Sequence, residues 1–382
     1  MPTIQPNNRS VSVNDFQQRY ADKEFNVSQL KHANRTKSVS SEDADLNKDG
    51  KIAGNREMGA LFHEMTDGKD RFELSKSKRQ FGFFGPMQTA PTKEAGVMQA
   101  LDNFANASAN PAPGTKGHDP FQPTHMVARG RYKGEPINHD LQRSVVALSP
   151  AQAAQYGAKP GELAFANVSH NGQHYVAVVP EDAVKKASLM LEHFPAPVPA
   201  AHSMIRFQMK EGKEARLVPQ KVGSEEETIK QNDLVLSIEA SGPRNFKYDL
   251  LEGAKSNFSI AYRFESLQDR ALHTQKNGNR VEQLPLKLTD SELQRVLKEA
   301  VRTSDQTKQT AMYNTLTRNC TNETFHILDR GIGIVGPKVH AARALTAETL
   351  PPLSEFYLSI RGLMDKSTSM PDLADEFASA QP

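Results

Sequence analysis

The feature that most constrains this 382-residue chain is the dipeptide Asn171-Gly172 and what flanks it. Glu162-Leu-Ala-Phe-Ala-Asn-Val on one side and His174-Tyr-Val-Ala-Val-Val on the other are rich in β-branched and aromatic residues. Both turn residues accept positive φ readily, so the segment predicts a β-hairpin. Ser203–Met209 and Asp233–Ile238 alternate like half-buried strands, and Ile260–Phe264 extends the series to a sheet of about five or six strands, after which Val281–Leu288 leads to the next helix. Thr289-Asp-Ser-Glu292 then forms a capping box, with Leu288 and Leu293 placed as a hydrophobic staple. Leu293, Val296, Leu297, Ala300 and Val301 follow at the spacing of one apolar helix face. A last helix starts near Asn319 and stops at Gly331, which can supply the left-handed residue after its end. The fold class is α+β.

The strand signals begin only after a Gly/Pro/Ala/Asn-rich stretch, which divides the chain. Residues 1–40 read as a polar, mobile leader with at most one helix around Val13–Tyr20. Residues 41–80 form a small helical region, and 81–118 a linker with a short helical pattern at Val97, Leu101 and Phe104. The boundary falls near Gly117, the strand-rich domain covers 119–365, and the tail 366–382 reads as loose. Lys and Arg number 47 against 45 Asp and Glu, a net charge of +2 that gives no global reason to expect nucleic acid or anionic lipid as partner. No apolar run approaches the ~20 residues of a membrane span, so a soluble chain without a transmembrane segment is expected. The start, MPTIQPNNRSVSVNDFQQRY, lacks the basic and apolar regions of a secretory signal. The expected location is therefore cytoplasmic, or outside by a leaderless specialised secretion route.

Asp45-x-Asn47-x-Asp49-Gly50-Lys51-Ile52 reproduces the first eight positions of an EF-hand loop. Side-chain oxygens stand at 1, 3 and 5, glycine at 6, and the Lys51 carbonyl at 7. Arg56 occupies position 12, and the closing carboxylate, Glu57, comes one residue late, which weakens the site unless the loop bulges. A degenerate partner around Asp67–Phe72 would pair Phe72 with Ile52. The expectation is an EF-hand-like region able to take Ca2+ through Asp45, Asn47, Asp49, Lys51 and Glu57; an acidic connecting loop is the alternative.

With one cysteine the chain has no intramolecular disulfide and no Cys-rich zinc site, so a functional Cys320 acts as a thiol. Asn319 is a favoured N-cap type, which puts Cys320 at the first helical position, where free N–H groups and the helix dipole favour a thiolate. Arg318 adds a positive charge. A lone cysteine is more often a small buried hydrophobe, so the nucleophile reading needs a base. His125, His170, His174, His193, His202 and His273 lie upstream, and His202 is set apart because it opens a predicted strand after a proline-rich approach.

The blocks AHSMIRFQM, DLVLSIEASGPRNF, QDRALHT, VEQLPLKLTDSELQRVL and MYNTLTRNCTNETFHIL, in that order and spacing, resemble the Lnb N-terminal periplasmic domain family over roughly 200–331. That bacterial family is similar to circularly permuted NlpC-type, papain-like folds, in which an Asn-Cys pair opens a helix and the histidine lies upstream on a strand. The resemblance implies Cys320 as nucleophile, His202 as general base and then acid, Glu239 as the group that orients His202 or meets substrate, and Ser237 and Asn319 as site-shaping residues. Ala201 stands where the family usually has glycine. The implied activity is acyl transfer or hydrolysis through a thioacyl-enzyme, on an acyl-bearing lipid, lipoprotein or peptide, with no cofactor required. The alternatives are a papain-like binding module that has lost catalysis, recognisable by a Cys320 out of reach of His202, and a calcium-responsive interaction protein.

Overall fold

The computed structural model describes residues 10–32, 40–79, 87–107, 115, 118–122, 126–138, 142–194, 201–307, 311–333, 353–364 and 370–379. His125, Gly117 and most of the proline-rich linker lie outside them. The chain forms two compact units. The first draws on residues 1–109, 124–138 and 242–247, the second on 110–123, 139–241 and 248–382. Two segments beyond the expected boundary thus belong with the N-terminal unit.

The first unit runs β1 (Ser10–Ser12), α1 (Val13–Arg19), β2 (Glu24–Asn26), α2 (Val27–His32), α3 (Ser41–Ala44), β3 (Lys51–Ala53), α4 (Gly54–Thr66), β4 (Arg71–Glu73), β5 (Ser75–Arg79), β6 (Met87–Pro91) and α5 (Lys93–Ala105). Residues 10–32 are therefore not a mobile leader. Ser12 and Asp15 close a capping box on α1, and Phe16, Tyr20, Phe25 and Leu30 are buried with Ile52, Phe62 and Leu101 in one core. Widely spaced aromatics in a polar sequence leave little period to read, yet each buries a large apolar area. Strand pairing also differs from expectation. Ile52 pairs with Phe25 across β2 and β3, while Phe72 pairs with Val11 across β1 and β4.

The second unit contains β7 (Val146–Ala147), α6 (Pro150–Ala154), β8 (Leu163–His170), β9 (Gln173–Val179), β10 (Val184–His193), β11 (Ala201–Met209), β12 (Ala215–Pro219), β13 (Ile229–Gln231), β14 (Asp233–Ser241), α7 (Leu250–Ala254), β15 (Phe258–Ser266), α8 (Leu267–Asn277), β16 (Arg280–Pro285), α9 (Asp290–Thr307), β17 (Met312–Tyr313) and α10 (Cys320–Gly331). Eleven strands form one mixed sheet in the order β13-β12-β9-β8-β15-β14-β11-β10-β16, with β7 on β8 and β17 on β15. The β15–β8 pair is parallel and the other pairs are antiparallel. The β8–β9 hairpin turns at Asn171 and Gly172, with φ of 50° and 74°.

The sheet is larger than the strand pattern suggests. β10 (VKKASLMLEH) packs a nearly continuous apolar run between β11 and β16, and a strand covered on both faces shows no alternation. The capping box at Thr289 forms, with Thr289 N–H to Glu292 at 2.8 Å and Glu292 N–H to Thr289 Oγ1 at 3.3 Å. Gly331 is the last helical residue of α10, and the left-handed glycine is Gly333, at φ 81°. Gly331 serves a close approach instead: a Cβ there would lie 2.5 Å from Val296 Cγ2 and 2.7 Å from its Cα. The tail is not loose throughout. Helix Leu373–Ser379 buries Leu373 beside Leu267, Ala271 and Val281, and Arg206 holds Glu376 in a two-pronged ion pair at 2.7 and 2.8 Å.

Candidate active site

Cys320 opens α10, which lies against β11, β14 and α9 in the second unit. Asn319 is its N-cap: the side chain accepts from Asn322 N–H at 3.0 Å, Asn322 reaches back to Asn319 N–H at 3.3 Å, and Asn319 Nδ2 donates to Thr315 O at 2.7 Å. This fixes the first turn and leaves the thiol pointing at the start of β11, where His202 sits. Cys320 is buried, while His202 keeps part of its surface exposed. Burial alone would raise the thiol. The charge and hydrogen bond of His202, the Ser203 backbone N–H and the Thr321 hydroxyl outweigh it and lower Cys320 to about 7. For His202, burial opposes the charged form, but the charge and hydrogen bond of Cys320 prevail and raise it above the ordinary histidine value. Both shifts favour the thiolate–imidazolium form of the pair.

Behind the imidazole runs a polar chain. His202 Nε2 lies 2.7 Å from Ser237 Oγ, and Ser237 Oγ donates to Glu239 Oε1 at 2.9 Å. A hydroxyl has one proton, and here it goes to the carboxylate; the network therefore assigns the imidazole proton to Nε2 and leaves Nδ1 for the thiol. Burial would raise Glu239, but Arg263, Arg270 and His202 together hold it well below the usual carboxylate range. Arg270 approaches Glu239 at 3.1 Å, Arg263 at 3.4 Å, and Gln142 donates to its other oxygen at 2.9 Å. Glu192, 3.1 Å from Arg270, and Glu265, 2.7 Å from Arg270 Nε, complete a buried charge cluster. The cross-strand register explains the convergence: Ser237 pairs with Met204 on β11 and with Arg263 on β15.

Several participants escape a reading of the sequence. Tyr313, buried on β17, has its hydroxyl ionisation pushed up by burial and by the charge of neighbouring Cys320, and it packs edge-on against Tyr248, with ring centroids 5.9 Å apart. It stands seven residues before the cysteine, and a tyrosine in a strand carries no mark of that contact. Arg263 and Arg270 could have been suspected as charged residues within otherwise buried stretches. Arg318, expected beside the thiol, pairs instead with Glu323 at 3.3 Å. Among the other histidines, His170 bonds to Ser266 at 2.8 Å, His193 to Glu282 at 3.2 Å, and His273 is mostly exposed.

The calcium-loop residues lie in the first unit. Asp45 Oδ2 accepts the Gly50 N–H at 2.9 Å, Asn47 Oδ1 that of Asp49 at 2.9 Å, and Asp49 Oδ1 that of Lys51 at 2.9 Å. Glu57 does not stand apart as a free carboxylate: its Oε1 accepts from Leu46 and Asn47 N–H and its Oε2 from Ala53 N–H. The Lys51 side chain turns to Glu24 at 2.9 Å. Among the described residues no three His, Cys, Asp or Glu side chains converge as a metal group.

The family model for the Lnb N-terminal periplasmic domain matches residues 173–371, a little over half of the chain and a span that holds His202, Ser237, Glu239, Asn319 and Cys320. The comparisons with curated proteins and with solved structures returned no match. A periplasmic domain points to an exported protein, which overturns the expectation of a cytoplasmic location. No helix among the described residues is long and apolar enough to cross a membrane.

Proposed function

Because this chain belongs to the Lnb N-terminal periplasmic domain family, we propose that it is a cysteine-dependent acyltransferase or hydrolase with a permuted papain-like catalytic domain. Its substrates are lipid, lipoprotein or peptide esters or amides. The observation that carries this reading is the line of Glu239, Ser237 and His202 that ends beside Cys320 at the start of α10, where the charge of His202 helps lower the thiol to about 7. A binding module that had lost catalysis would have no need to keep that pair, nor to hold Ser237 and Glu239 behind it.

In the mechanism, the Cys320 thiolate attacks the acyl carbonyl. The Cys320 N–H at the start of α10 and the Tyr313 hydroxyl donate to the developing oxyanion. His202 then protonates the leaving alcohol or amine, forming the thioacyl-enzyme, and afterwards takes a proton from the water, alcohol or amine that resolves it. Ser237 and Glu239 keep the imidazole in the tautomer that presents Nδ1 to sulfur. The test is intact-protein mass spectrometry after incubation with an activated acyl ester. The wild type gains one acyl mass on Cys320, and Cys320→Ala gains none while its circular dichroism is unchanged. Turnover retained by Cys320→Ala would overturn the assignment.

A further inference from the structure

We propose that the loop from Asp45 to Lys51 is a binding site for a hard divalent cation of the calcium class, with Glu57 as its brace and not as its ligand. Asp45 is 8% exposed, and only its Oδ2 is used, by the Gly50 N–H. Its Oδ1 is shut off from solvent and has no hydrogen-bond partner. An ionised oxygen buried without a donor or a counter-charge is unfavourable, and a bound cation removes that penalty. No ion pair among the described residues reaches Asp45, and Lys51, at the end of the loop, pairs with Glu24.

The rest of the donor set is hard oxygen at the right chain positions. Asn47 Oδ1 and Asp49 Oδ1 each accept one backbone N–H, which orients them and leaves each a lone pair. The Lys51 carbonyl supplies a fourth oxygen. Glu57 spends both of its oxygens on the amides of Leu46, Asn47 and Ala53, tying the loop's entrance to its exit. It thereby bulges the loop around its late position and holds it ready, while water completes the coordination shell. Two carboxylates without a bidentate closing group suit calcium at the weak end of its range, and the uneven geometry disfavours magnesium, which demands a near-ideal octahedron. Because β3 leaves the loop directly and carries Ile52 into the core opposite Phe25, an ion bound here stabilises the N-terminal unit.

This proposal is independent of the cysteine chemistry and is tested on the full chain, stripped of metal and titrated calorimetrically with calcium chloride. One site should saturate below about 10 mM calcium, with magnesium about tenfold or more weaker. Asp45→Asn and Asp49→Asn should each weaken binding about tenfold, and Glu57→Gln, which keeps an acceptor oxygen for the loop amides, by less than about threefold. Thermal unfolding of the wild type gives a second readout that does not depend on any variant folding: calcium should raise the first transition above its value in sodium chloride of matched ionic strength. No saturable heat and no shift in the wild type, or undiminished binding by a folded Asp45→Asn, Asp49→Asn double variant, would overturn the site. Loss of binding in a folded Glu57→Gln as severe as in Asp45→Asn would overturn the role given to Glu57.

Discussion

At the residue scale, the proposed chemistry turns on how a buried thiol is kept ionised. Burial pushes Cys320 up and His202 down, so either alone would be neutral; together they exchange a proton because each charge is the other's largest favourable influence. The sign of the pH dependence follows. As pH rises through about 7 the thiolate forms, while the raised His202 keeps the imidazolium needed to protonate the leaving group to higher pH than an ordinary histidine would before it too is lost. The rate of acyl transfer should therefore be bell-shaped, and alkylation of Cys320 by iodoacetamide should rise through a midpoint near 7. In His202→Asn the alkylation midpoint should move up by about two pH units or more, since burial is then opposed only by the Ser203 N–H and the Thr321 hydroxyl. An unmoved midpoint would show that His202 is not the thiol's partner. Glu239→Gln should shift the same midpoint less, about one unit, because it removes a charge that reaches sulfur only through Ser237 and His202. Cys320, His202, Ser237 and Glu239 could be named from ordered blocks of sequence. Gln142 and Tyr313 could not, and Arg263 and Arg270 offered only their charge within buried stretches, because all four meet the site through tertiary placement, which no local period encodes.

At the scale of elements, local chemistry was legible where it acts over a few residues. The Asn171-Gly172 turn and the Thr289–Glu292 capping box both form. The tertiary use of a residue was not legible. Gly331 looks like a helix terminator, yet it is helical and serves the approach of α10 to α9. A Cβ on it would press on the Val296 backbone, with Cα at 2.7 Å and N at 2.9 Å, atoms that cannot swing aside like the end of a side chain. Gly331→Ala should therefore destabilise the protein by about 1–3 kcal/mol despite alanine's better helix propensity, as read from the denaturant midpoint. Since α10 carries Cys320 at its other end, the same variant should also slow acylation; an unchanged midpoint would refute the close-packing account.

At the scale of the whole molecule, one cysteine in 382 residues means that no intramolecular covalent link adds to stability, even though the family points to an exported location where disulfides are common. Each unit is held by its own buried apolar residues, such as Phe16, Phe25 and Phe62 in the first and Met190, Met204 and Val235 in the second. In the proposed function the single sulfur is instead the nucleophile, and a thiol lowered to about 7 is readily oxidised. Stability and activity should therefore separate under redox treatment. Reductant should leave the thermal unfolding midpoint unchanged within about 1 °C, a shift too small to reflect a lost covalent link. Dilute hydrogen peroxide should abolish acylation of Cys320, and dithiothreitol should restore it as long as oxidation has not passed the sulfenic stage. A midpoint that fell with reductant would reveal a disulfide between two copies of the chain, the one kind that a single cysteine allows.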